Sequence, residues 1–87
     1  MKNTLSFGRD EYEVSCDLTQ AGAPLLIDGN PTPYQAATAK HREYNAMQLA
    51  ARYIAVRGGG EDDEPSEYRA VRDGCAESTD WYIEKIE

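Results

Sequence analysis

The stretch from Thr32 to Arg57 constrains the fold more than any other part of the chain. Thr32 stands where an N-cap belongs, Pro33 takes the first helical position, and Gln35 follows the cap by three residues. That is the spacing of a capping box with its proline. Gly58, Gly59 and Gly60 close the stretch and supply a residue able to take positive φ. Ala, Gln, Arg and Met fill most of the interval, and all favour helix. The pattern predicts one long helix, about 37 Å from end to end.

On a helical wheel Ala36, Ala39, Tyr44, Met47, Ala50, Ala51 and Ile54 gather on one side, flanked by Ala46 and Tyr53. Thr38, His41, Arg42, Asn45, Gln48 and Arg52 lie opposite, where water is expected. The large apolar side chains come from Tyr44 onward, so the first turns should be poorly covered. Glu43 interrupts the apolar arc, which calls for an overhang, a kink or a pairing with Lys40.

Short alternating stretches surround this helix. Leu5 and Phe7 fall on one face of residues 3–7, and after a turn at Gly8, Arg9 and Asp10 a second stretch alternates. There Tyr12, Val14 and Cys16 face one way, and Glu11, Glu13 and Ser15 the other. This is a hairpin with one buried and one solvated, acidic face. Leu25, Leu26 and Ile27 suit a short third strand, followed by turn chemistry at Asp28-Gly29-Asn30-Pro31. Beyond the glycines, residues 66–72 put Tyr68 and Ala70 on one face and Arg69 and Val71 on the other. Asp73-Gly74 reads as a tight turn. Residues 79–86 carry Trp81 and Ile83 on one face and Tyr82, Glu84 and Ile86 on the other, which suits a central strand.

The expected class is therefore α+β in one domain of 87 residues: an antiparallel sheet of four or five strands with one long helix on one face. The order would be strand, strand, a short strand if it forms, helix, strand, strand. Met47, Ile54, Trp81, Phe7 and Val14 should share one core.

Charge is unevenly placed. The net charge is −7, yet residues 33–57 carry four Lys/Arg and one acid. A basic helix thus sits in an acidic remainder, where Arg42, Arg52 and Arg57 are expected to meet strand carboxylates. The acidity argues against phosphate binding and so against direct contact with nucleic acid. With no apolar leader after Met1 and no long apolar run, a cytoplasmic protein without membrane contact is expected.

Little in the sequence suggests catalysis. His41 is the only histidine, the two cysteines are too few for a disulfide framework or a zinc site, and no phosphate-binding glycine motif occurs. Cys16 and Cys75 are expected to be free thiols. No metal, cofactor or enzymatic activity is expected. What stands out is acid: Glu11 and Glu13 on the hairpin, and Glu61, Asp62, Asp63, Glu64 and Glu67 beyond the glycines. Together they suit a partner lined with Lys and Arg.

In size, acidity, compact α+β pattern and lack of a catalytic motif, the chain resembles the small inhibitors that phages and mobile elements encode against bacterial defence complexes. These are the anti-CRISPR and anti-restriction proteins. The resemblance covers the whole chain in character but rests on no shared motif. It implies stoichiometric inhibition of a nucleic-acid-binding complex, in a bacterial host cell. The alternative expectation is a small structural or adaptor domain, a homodimer through the alanine-rich half of the helix.

Overall fold

A computed structural model describes residues 1–20, 22–35, 42–58 and 67–86. Among them the order is β1 (Lys2–Phe7), β2 (Asp10–Ser15), β3 (Pro24–Ile27), β4 (Asn30–Gln35), α1 (Arg42–Gly58), β5 (Tyr68–Arg72) and β6 (Asp80–Lys85). The class is α+β. The six strands form one sheet in the order β4-β3-β2-β1-β6-β5. The strand count exceeds the four or five expected. The sheet is also mixed, not antiparallel, because β6 lies parallel to β1, with Leu5 opposite Trp81.

The extra strand is β4, formed by residues expected to begin the helix. Asp28 and Gly29 have φ of 53° and 81°. Two consecutive left-handed residues make a type I′ turn, whose twist suits a hairpin. Ile27 and Asn30 accordingly pair across it. Pro31 and Pro33 then disfavour the α region at Asn30 and Thr32 before them, so the chain continues extended. Thr32 caps no helix: its hydroxyl donates to the Leu25 carbonyl at 2.8 Å, within the hairpin. The helix is consequently 17 residues long, about 25 Å, and starts at Arg42. The other two-residue hairpin, β1 to β2, turns at Gly8 with φ of 65° and Arg9 with negative φ, the pattern of a type II′ turn. Asp73-Gly74 opens a longer loop, closed where the Asp73 amide donates to the Asp80 carbonyl at 2.8 Å.

The helix lies on the sheet face that carries Leu5, Val14, Leu25, Ile27, Ala70 and Trp81. It contributes Ala46, Met47, Ala50, Ala51 and Ile54, the small alanines letting its backbone approach the strands closely. Met47, Ile54, Trp81 and Val14 share this core as expected, with Phe7 packed at its margin.

Two helix positions depart from the wheel. Gln48, placed on the watery face, is 9% exposed, whereas Tyr44, placed in the apolar arc, is 55% exposed. β5 flanks the helix and turns the buried stripe toward Gln48. The Gln48 amide gives its Nε2 to the Ala70 carbonyl at 2.7 Å and accepts the Ala70 amide at 3.0 Å. Glu43 finds its partner on β5: Arg72 Nη2 pairs with Oε1, and Asn3 Nδ2 of β1 donates to Oε2 at 3.2 Å. The Arg72 guanidinium also donates to the Ala76 carbonyl and stacks on Trp81, 4.6 Å from the ring centre. Arg72 thereby ties the first turn of α1 to β5, β6 and the loop between them. Among the described residues no helix is long and apolar enough to cross a membrane.

Candidate interaction face

The helix covers one face of the sheet, and among the described residues nothing covers the other. Strand alternation puts Glu11, Glu13 and Ser15 of β2 on that outer face, beside Thr4 and Ser6 of β1. β6 adds Asp80, Tyr82 and Glu84, and β5 adds Arg69 and Val71. Register aligns these residues into rows across the strands. One row runs Glu11, Ser6, Tyr82, Val71. The next runs Asp28, Glu13, Thr4, Asp80, Asp73, completed at its ends by backbone hydrogen bonds from Asp28 to Glu13 and from Asp73 to Asp80. At about 4.8 Å between strands the second row spans roughly 19 Å and holds four carboxylates.

Neutralisation within this face is sparse. Lys2 lies 3.7 Å from Glu13 and Arg69 lies 3.2 Å from Glu84, and all four side chains are largely solvated. Pairs of this kind contribute only about 0–1 kcal/mol. Glu11, Asp73 and Asp80 make no ion pair with any described residue. Asp28 is used structurally: its Oδ1 accepts the Glu13 amide at 2.8 Å, and its own amide donates to the Glu13 carbonyl. In this way it continues the β2–β3 ladder one residue past Ile27. Tyr82 stands 40% exposed near the middle of the carboxylates, with Val71 half-buried beside it. Such a surface offers an aromatic anchor beside a row of negative charge.

The acids singled out from sequence are only partly brought together. Glu11 and Glu13 share the face as alternation required. Glu67 borders the opposite corner, where its carbonyl accepts the Ile86 amide. Three strand spacings and four residues of rise place it on the order of 20 Å from Glu11. Glu61, Asp62, Asp63 and Glu64 lie outside the described residues, as do His41 and the alanines of the helix half expected to mediate a homodimer. Asp28, Asp73 and Asp80 also belong to the face, although the sequence places them only in turns or at a strand end. The Asp28-Gly29 pair directly after the apolar run Leu25 to Ile27 was the available signal for the first of these.

Both edges of the sheet are closed to strand addition in different ways. β4 carries two prolines, which remove two amide donors from that edge. On β5 the Ala70 amide and carbonyl are held by Gln48.

Comparison with models of known families, with curated proteins and with solved structures finds no match to this chain.

What the face can do follows from its own groups. No three His, Cys, Asp or Glu side chains among the described residues converge on a metal position. Asp17, outside the rows, is held below the ordinary carboxylate range by hydrogen bonds from the Thr19 hydroxyl and amide. It sits at the turn after β2 and serves that turn.

Proposed function

We propose that this chain is a non-enzymatic binding protein that lays the outer face of its sheet on a Lys/Arg-lined surface of a nucleic-acid-binding complex. It would act there as an inhibitor by occupancy, in the manner of the anti-CRISPR proteins it resembles. The reading rests chiefly on one observation: the sheet face left uncovered by the described residues arrays Glu11, Glu13, Asp80 and Asp73 beside the exposed Tyr82, with few counter-charges among the described residues. Like charges set side by side destabilise the folded chain, a cost that a purely structural sheet does not need. Closed edges on β4 and β5 leave the face as the broad surface through which a partner can engage the sheet.

Electrostatic docking of this kind gives fast association that weakens with salt, because exposed charges are screened beyond about 10 Å at 0.1 M. The test uses tagged chain to capture a nucleic-acid-binding complex from bacterial lysate, then compares association rates of wild type and variants. Glu11→Lys, Glu13→Lys and Asp80→Lys together should slow association at least tenfold at low salt. Tyr82→Ala should mainly speed dissociation. If the triple reversal binds and inhibits like wild type at physiological salt, the face is not the docking surface.

A further inference from the structure

We infer that Gln48 is an edge lock, a side chain that occupies the place of a seventh strand and keeps β5 from pairing with β5 of a second copy of this chain. β5 ends the sheet. Its ladder with β6 is fixed by two bonds: the Asp73 amide donates to the Asp80 carbonyl at 2.8 Å, and the Ile86 amide to the Glu67 carbonyl at 2.6 Å. In an antiparallel pair the bonded positions alternate, so residues 69, 71 and 73 turn their backbone groups toward β6. Tyr68, Ala70 and Arg72 turn theirs to the opposite side of the strand, away from β6. Gln48 bonds both groups of the central residue, donor to acceptor and acceptor to donor, as a neighbouring strand would. It is 9% exposed, so the lock is built into the packing of α1.

The segment that Gln48 guards is suited to pair with itself. It reads Tyr-Arg-Ala-Val-Arg, with β-formers, no proline and no acid. A twofold axis through Ala70 would set Ala70 against Ala70, Tyr68 against Arg72 and Arg69 against Val71. No like charges then stand directly opposite one another. Space exists beside the strand: a cleft of about 560 Å³ lies along residues 69–72 and is walled by Glu43 and Tyr44 of α1. A second β5 entering that cleft would need the two backbone groups that Gln48 holds.

Gln48→Met keeps the length and bulk of the side chain while removing both hydrogen bonds, and is the variant of choice. Sedimentation over a wide concentration range should show wild type as a monomer and Gln48→Met as a monomer–dimer equilibrium. Hydrogen exchange reads the same lock directly. The Ala70 amide should be protected in wild type, exchange about 100-fold faster in dilute Gln48→Met, and regain protection as the variant dimerises. Gln48→Glu, which sets a charge on the edge, should remain monomeric. A folded Gln48→Met that stays monomeric throughout would overturn the inference, as would a Gln48→Glu that dimerises equally well. Should Gln48→Met fail to fold, the wild-type measurement still decides, since a freely exchanging Ala70 amide would show that no lock exists.

Discussion

Trimming Met47 to alanine removes a fully buried side chain from the centre of the helix–sheet contact. A cavity left there, or at Ile54, costs about 2–5 kcal/mol, a large share of the stability of a domain this small. Urea unfolding of Met47→Ala and Ile54→Ala should show losses in this range, and a loss below 0.5 kcal/mol for both would contradict the packing. The two cysteines differ sharply in environment. Cys75 is exposed and Cys16 is buried, with its thiol 3.7 Å from the Ala23 carbonyl, and neither is bridged. Native protein should therefore take one alkyl group and denatured protein two, counted by intact mass without reductant. Burial pushes the Cys16 thiol above its ordinary value of 9.0. The folded state thus binds the proton more tightly than the unfolded chain. This contribution is complete below pH 9 and declines as pH rises toward the folded pKa. Stability of wild type should consequently fall faster above pH 9 than that of Cys16→Ala.

At the scale of elements, the hairpin between β3 and β4 decides where the helix can begin. Gly29 has φ of 81° with open space around it, so Gly29→Ala meets no clash and isolates the backbone cost of a left-handed residue. Roughly 1–2 kcal/mol should be lost in urea unfolding. A neutral result would mean that the turn relaxes without consequence for β4. The same hairpin explains what was legible in the sequence. Period-two alternation located β1, β2, β5 and β6 with correct faces, because each has one face in the core and one in water. Thr32, Pro33 and Gln35 mimicked a capping box, yet Pro31 together with the Asp28-Gly29 pair already favoured extended chain. Gln48 was illegible for a different reason. Its burial depends on β5, a strand twenty residues away, and no local pattern reports a partner so distant. The acidic face was half visible, since Glu11 and Glu13 belong to one strand. Asp73 and Asp80 join Glu13 only through the parallel register of β6 on β1.

For the molecule as a whole, unbalanced charge should weaken the fold itself. Glu11→Gln, Asp73→Asn and Asp80→Asn combined should raise stability by about 0.5–1 kcal/mol at low ionic strength. The gain should shrink as salt is added and the carboxylates are screened. A gain that persists unchanged in molar salt would have to come from packing or from the unfolded chain. Connectivity has a further consequence. β1, made first, lies mid-sheet between β2 and β6, and β6 is the final strand of the series. During synthesis the early strands can form hairpins as they emerge, but the middle of the sheet stays open on one side until residue 85 has been translated. Until then the apolar groups of Leu5 and Val14 have only part of their cover, and β1 offers a bare backbone edge to whatever is nearby. Closing a pairing across almost eighty residues is a slow step. A ribosome stalled before Trp81 would hold a chain with its adhesive seam exposed.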